Sequence, residues 1–399
     1  MDLYTARGEA LSGTPWDVYP RPQLRRDSFL NLNGTWDFTV STCNQPPEEF
    51  DRKILVPFCP ESLLSGIREH FPEGHFLCYH RKFTLPEGFH RGRVLLHFGA
   101  VDQVCDIYVN QKQLSHHIGG YDAFSLDITQ VLQEENELVV CVQDDLRSGT
   151  LPYGKQTLNR GGMWYTPVSG IWQTVWLESV PETYIQALDI RVTTGSAQIS
   201  VTPALEGTVF LQGKAYPLVK GCAEISPESP RLWSPEDPYL YEFTVEAGED
   251  KVQSYFALRT LEIKEVNGIP RLCLNGKPYF LHALLDQGYW SDGIYTPAAP
   301  ECYEQDILAM KSLGFNTLRK HIKVEPQQFY YDCDRLGMLV MQDMVNNGDY
   351  SFFRDTALPT VGLQKCSDRR RHRDPLLRET FLKTMTATVE QLFSHPCIC

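Results

Sequence analysis

The chain has 399 residues and carries 37 Lys and Arg against 50 Asp and Glu, a formal net charge of −13. Holding a nucleic acid means neutralising phosphates with Lys and Arg, so this balance argues against such a partner. Hydrophobic residues at 42 % and aromatics at 12 % exclude wholesale disorder, and the length predicts about two to three domains.

Residues 1–15 mix charged, small and polar types with no apolar segment, so no secretory signal is expected. No uninterrupted apolar run approaches the ~18 residues of a spanning helix, and no membrane partner is expected. The 12 cysteines are scattered, many within apolar runs (Cys105, Cys141, Cys273, Cys333). That pattern predicts reduced, buried thiols in a cytoplasmic protein rather than a disulfide framework. Cys397 and Cys399, a close pair at the end, read as part of a strand rather than a metal or redox site.

From Arg26 to Val180 short alternating runs are punctuated by turn residues. Asn33-Gly34 precedes Trp36 to Val40, Arg93 to Phe98 and Cys105 to Val109 flank Gly99, and Glu137 to Val142 reads as another strand. This predicts an antiparallel β-sandwich over 1–180. In 181–262 the pairs Ile190/Val192 and Ile199/Val201, with Tyr241/Phe243/Val245, alternate with polar residues as half-buried strands do. Pro235 and Pro238 bar a regular strand before Tyr239. A small immunoglobulin-like sandwich fits this stretch, without the Cys…Trp…Cys pattern of antibody domains.

Over 263–399 the period changes. Asn275-Gly276 predicts a hairpin between Arg271–Leu274 and Tyr279–Leu285. A helix follows with Tyr303, Ile307 and Met310 on one face, closed by Gly314, then a strand Phe315 to Arg319. Pro326 leads a second helix to Gly337, Met338 to Gln342 is a strand, and Asp374-Pro375 starts a third helix. Alternating strands and helices predict parallel α/β structure, and Pro396 to Cys399 reads as the start of a fourth strand. Such a part-wound sheet is expected to leave an uncovered face, and association into a homo-oligomer through it is expected.

These segments together resemble the family 2 glycoside hydrolases, the group of β-galactosidases and β-glucuronidases. Asn31-Leu32-Asn33-Gly34-Thr35-Trp36-Asp37-Phe38, Leu96 to Asn110 and Gly119 to Thr129 resemble their jelly-roll domain, which Ser169-Gly170-Ile171-Trp172 resembles at its end. Leu232 to Tyr241 resembles the Trp-Ser-Pro run of the middle domain. Gly314 to Arg319 with Cys333 to Met338 resembles the signature of the catalytic (β/α)8 TIM barrel. The resemblance implies a jelly-roll β-sandwich, an immunoglobulin-like β-sandwich and the first part of a TIM barrel, strands one to three and the start of four. It also implies hydrolysis of terminal β-glycosides with retention, a carbohydrate substrate and no redox cofactor. Retention needs two carboxyl groups about 5–5.5 Å apart. In the family both glutamates follow the segment that Cys399 closes, so no catalytic residue is expected within the chain and its isolated form is expected to be inactive.

Barrel sites lie at the C-terminal ends of the strands. That nominates Asp286, Gln287 and Trp290 after strand one, Arg319 and His321 after strand two, and Asp343 after strand three as sugar-pocket residues. Trp290 could stack on a sugar or anchor a loop, and Asp286 and Gln287 could bind hydroxyls. Arg319 resembles the arginine that holds the family's nucleophile carboxylate ionised; the plain alternative is an ion pair with Asp343. His321 stands one place earlier than in the family signature, and on a strand one place reverses a side chain's face. Gly161-Gly162-Met163-Trp164 replaces a sugar-binding Asp of some β-galactosidases, and Gln342-Asp343 replaces the familiar Asp-Glu.

The pairs His116-His117 and His75/His80 lack zinc-like spacing and read as surface histidines beside turns; no metal is expected. The run Arg369-Arg370-Arg371-His372-Arg373 reads as a solvated loop. A non-catalytic carbohydrate-binding protein built on the two sandwiches is the rival reading, since jelly rolls also serve as lectins.

Overall fold

The computed structural model describes residues 2–146, 149–348, 350–363 and 374–399, so the basic run at 369–373 lies outside the described residues. Six strands form the larger sheet of the first sandwich, in the order Arg52–Val56, Gly34–Ser41, Phe76–Phe83, Asn136–Gln143, Val104–Val109 and Lys112–Ile118. Four strands face it: Leu30–Asn31, Val175–Val180, Arg93–Phe98 and Phe124–Asp127. The strand period places Trp36 and Phe38 inward while Thr35 is exposed, and both rings join Leu96, Ile107, Val140 and Leu177 in one core. Deleting such a ring, as in Phe38→Ala, costs about 3–5 kcal/mol through lost burial and the cavity left behind. His116 and His117 lie within a strand rather than beside a turn: His116 holds Asp106 at 2.9 Å, and His117 stacks on Phe124 at 3.8 Å. Among the described residues no group of potential ligands converges as a metal site would require.

The second sandwich packs Ala187–Val192, Ala197–Thr202 and Cys222–Ile225 against Lys214–Leu218, Gly207–Leu211, Tyr241–Ala247 and Asp250–Phe256. The strand after the two prolines starts at Tyr241. Arg26 ties the two sandwiches together. Its guanidinium holds Asp250 at 2.9 and 2.8 Å and Glu178 at 3.3 Å, all three side chains nearly fully buried. Removing one member of such a buried set costs about 3–5 kcal/mol, because the others stay charged and unpaired.

Beyond this the hairpin differs from expectation. Ile269–Leu274 pairs with Leu261–Val266 on one side and only with Lys277–Pro278 beyond the Asn275-Gly276 turn. The predicted strand Tyr279–Leu285 is split, and Ala283–Asp286 belongs instead to a parallel sheet with Thr317–Lys320 and Leu339–Gln342. Alternation alone could not separate these two uses of one apolar run. Helices Glu301–Ser312 and Gln327–Leu336 follow the first two parallel strands. Gly337, at φ +79°, ends the second in the left-handed conformation, where its amide bonds the Cys333 carbonyl at 2.9 Å. Ile398 makes an isolated parallel bridge to Val340, outside any strand. Helix Pro375–Leu392 precedes it, with the Asp374 side chain capping the Leu376 amide at 2.9 Å.

One apolar core runs from the first sandwich (Phe58, Tyr121, Trp172) into the α/β part (Tyr295, Ile307, Phe329, Val340), so the two are packed as one body. Trp233 of the middle region is fully buried and donates to the Asp334 carbonyl at 2.7 Å. The Asp334 carboxylate in turn holds Tyr255, His395 and the Cys397 amide at 2.7–2.8 Å, which positions the segment just ahead of Ile398. Cys105, Cys141, Cys273 and Cys333 are free and buried, as expected. No helix among the described residues is long and apolar enough to cross a membrane.

Candidate functional site

In a parallel sheet, laterally paired residues point to the same side. The register aligns Asp286 with Lys320 and Gln342, and Leu285 with Arg319 and Met341. The first set faces the helices. The second faces outward, leaving Leu285 50 % and Met341 40 % exposed. Six nominated residues therefore divide between two environments.

On the outward side Arg319 forms two parallel hydrogen bonds to Asp343, at 3.1 and 3.0 Å, with its side chain half exposed. His321 joins them, its Nδ1 lying 2.8 Å from Asp343 Oδ2. The one-place shift does not turn His321 away, because the strand ends at Lys320 and the chain turns through Ile322 at φ +46°. The other ring nitrogen, His321 Nε2, faces Lys155 Nζ at 3.4 Å. Gln287 lies beside this group, donating to the Tyr165 hydroxyl at 2.8 Å, and the Tyr165 ring stands edge-on to His321 at 6.1 Å. Lys155, Trp164 and Tyr165 come from a loop of the first sandwich. Lys155 also lines a neighbouring depression of about 190 Å³, walled by Trp164 and Tyr350, whose rings meet edge to face at 5.0 Å.

On the helix side Asp286 belongs to a buried ionic chain. Lys320, 1 % exposed, bonds Asp286 at 2.6 Å and Glu325 at 2.8 Å, and Lys323 bonds Glu325 at 2.9 Å. Burial pushes the Asp286 carboxyl up, but the Lys320 ammonium outweighs it and holds the group below the ordinary carboxylate range. Burial likewise opposes the charge on Lys320, yet Asp286 and Glu325 raise it above the usual lysine range. Lys323 is pushed down to about 8, by burial first, with Glu325 opposing and Lys320 adding to the shift. Asp286 also accepts the Gly288 amide at 2.8 Å, so its oxygens are engaged within the protein rather than presented beside Arg319. Trp290 is half-buried, packed edge-on to Tyr303 at 5.9 Å, and lines with Asp286 a separate cavity of about 280 Å³. Its loop-anchor role is the one its packing displays. The six nominated residues thus do not share one pocket: Arg319, His321 and Asp343 form a cluster, while Asp286, Gln287 and Trp290 line the separate cavity, Gln287 also reaching Tyr165.

Sequence reasoning missed Lys155 and Tyr165, which lie in an aperiodic loop far from the barrel segment, and Lys320, Lys323 and Glu325. The charge alternation Lys320-His321-Ile322-Lys323-Val324-Glu325 was the one available signal for the latter.

Comparison with known proteins supplies the remaining evidence. The model described as "Glycosyl hydrolases family 2, sugar binding domain" matches residues 66–181, and that described as "Glycosyl hydrolases family 2" matches 181–259. A β-galactosidase of Thermoanaerobacter pseudethanolicus is 26 % identical over 348 residues, 79 % of this chain and 46 % of that protein. A β-glucuronidase of Bacteroides fragilis is 23 % identical over 418 residues, 94 % of this chain and 55 % of its own length. The solved β-glucuronidase of an uncultured Clostridium superposes with a TM-score of 0.76 at 19 % identity, covering 94 % of this chain and 67 % of that one. The chain spans about half the length of the curated relatives it matches.

Proposed function

Because this chain belongs to glycosyl hydrolase family 2, we propose that it is the sugar-recognising part of a retaining hydrolase of terminal β-glycosides, working in the cytoplasm without a redox cofactor. The observation that carries the reading is the cluster of Arg319, His321 and Asp343 beside the aromatic loop of the first sandwich. It sits at the C-terminal ends of parallel strands, where barrel enzymes keep their chemistry. This reading takes the three parallel strands and the Ile398 bridge as the first part of a TIM barrel, and 1–180, 181–262 and 263–399 as the domains. It also expects copies of the isolated chain to associate through the outward face carrying Leu285 and Met341.

The reading expects binding without catalysis from the described residues. Asp286 is held by Lys320 and Asp343 by Arg319, on sides that the strand register separates, which supports reading neither as a member of the pair about 5–5.5 Å apart that retention requires. Arg319 is suited to hold a further carboxylate ionised by charge and bidentate bonding, in exchange for or beside Asp343. The test is to incubate the full chain with nitrophenyl β-galactoside and β-glucuronide while following sugar binding by calorimetry. Binding without nitrophenol release is the expected result. Turnover abolished by Asp286→Asn would overturn the missing-pair argument, and absence of binding to any glycoside would overturn the reading itself. A stable, soluble chain that binds sugars internal to a polymer, and not terminal β-glycosides, would favour the lectin-like rival.

A further inference from the structure

We propose that Cys78 and Cys141 form an oxidation site, a thiol pair that a small disulfide oxidant converts to a cross-strand disulfide, with Cys43 as the thiol through which the oxidant enters. The inference is independent of the sugar-site reading.

Three observations lead to it. First, Cys141 stands directly opposite Cys78 on the neighbouring antiparallel strand, and their Sγ atoms are 3.3 Å apart. Directly opposed residues in such a ladder have Cα atoms about 4.5–5.5 Å apart, inside the range of about 4.4–6.8 Å that a disulfide bridges. Side-chain rotation therefore closes the bond with the backbone left in place. Second, the pair lies on the outer side of its sheet rather than in the core of the sandwich. Leu77, Tyr79, Val140 and Val142 join that core, so Cys78 and Cys141 alternate outward, where they pack with Tyr108, Phe50 and Phe76. Third, the chain over this side is tied down on both flanks of the pair. Strand register sets Thr39, Cys78, Cys141 and Asp106 in one row across the sheet. Thr39 donates to Asp51 at 2.7 Å and Asn44 donates to Asp106 at 2.6 Å, which straps residues 42–51, with Phe50, across the row. Cys43, next to the Asn44 anchor, is exposed. The Tyr108 phenol is pushed up by burial first and then by Asp106, Cys141, Cys78 and Cys43, so the three thiols gather about one ring. A buried thiol can serve as a small apolar filler, as Cys105 does in the core. Opposed register at contact distance beside an exposed third thiol is instead what disulfide exchange requires.

Contact with Cys78 and then burial push the Cys141 thiol up, which keeps it protonated and slow to react with an oxidant directly. The exposed Cys43 takes the first step: its thiolate attacks oxidised glutathione and expels one glutathione thiolate. One thiol of the pair, giving up its proton, then attacks the Cys43 sulfur and expels the second. Its partner, likewise deprotonated, displaces Cys43, which ends as a free thiol. The pair loses two hydrogens and gains one S–S bond, and the oxidant becomes two glutathione thiols that carry the protons.

The experiment incubates the folded full chain with oxidised glutathione, blocks the remaining thiols with N-ethylmaleimide, and maps linked peptides by mass spectrometry after digestion without reductant. A link between Cys78 and Cys141, lost on adding dithiothreitol, is the expected result. The oxidised chain should melt at a higher temperature, because the link restricts the unfolded chain between the two cysteines. Cys43→Ser should slow the linking about tenfold and leave its final yield unchanged. Glutathione carried on Cys43 with no link, or a link that forms only after the chain is unfolded, would overturn the proposal. So would a lower melting midpoint after oxidation, since the sheet would then have to distort to close the bond. An unchanged rate in Cys43→Ser would overturn the entry role given to that thiol.

Discussion

The two faces of the parallel sheet use the same kinds of side chain for different ends. On the helix side Lys320 lies between Asp286 and Glu325 with almost no solvent contact, and its partners are fully supplied by the chain. On the outward side Arg319 is 51 % exposed and its partner Asp343 is reached by solvent, with Lys155 near His321. A buried ion set is committed, because any rearrangement leaves a charge in low dielectric. An exposed pair can exchange partners at little cost, which is what a ligand requires. The teaching of the contrast is that burial, rather than residue type, separates architecture from candidate function here.

Breaking the covered face should show first in stability. Lys320→Met leaves Asp286 and Glu325 facing each other without their shared cation, and about 3–5 kcal/mol should be lost in denaturant unfolding. If the midpoint instead holds, the carboxylates have found other partners and the contrast collapses. A smaller effect of the same face appears on the acid side. The folded-state pKa of Asp286 lies below its unfolded value, so its contribution is present above about pH 3.9 and lost as pH falls through the folded value. The Tm of Asp286→Asn should accordingly fall less steeply with acid than that of the parent chain, and parallel acid limbs would contradict this. On the outward face Arg319→Gln should leave the melting midpoint unchanged and weaken glycoside binding about tenfold in the same titrations. A variant that melts early and binds normally would make Arg319 structural and reverse the two faces. The smallest expected change is His321→Asn, whose amide can still donate to Asp343 and should reduce binding by about threefold or less.

Much of the architecture was legible because it rests on local periodicity. Alternation at Trp36/Phe38 and Tyr241/Phe243/Val245 marked strands that the fold contains. Gly337 and Asp374 marked helix ends through conformations and caps that depend on neighbours a few residues away. The split of 279–285 between a hairpin and a parallel strand was not legible, since one apolar run fits either sheet. Of the site, Arg319 and Asp343 could be nominated from their positions at strand ends, with an ion pair between them as the alternative reading of Arg319. The facing of Asp286 was not, because it depends on register with Lys320, a relation between strands rather than along one.

By itself, then, the chain's order of residues determined the family, the succession of two β-regions and an α/β region, and which segments carry polar groups at strand ends. Those follow from patterns with a period of two or 3.6 residues and from motifs a few residues long. Only the tertiary structure decided which of those polar groups share a face and that Lys155 meets His321, 166 residues away along the chain. Strand register and the docking of the first sandwich set those distances, and both are fixed by burying a common core rather than by local preference.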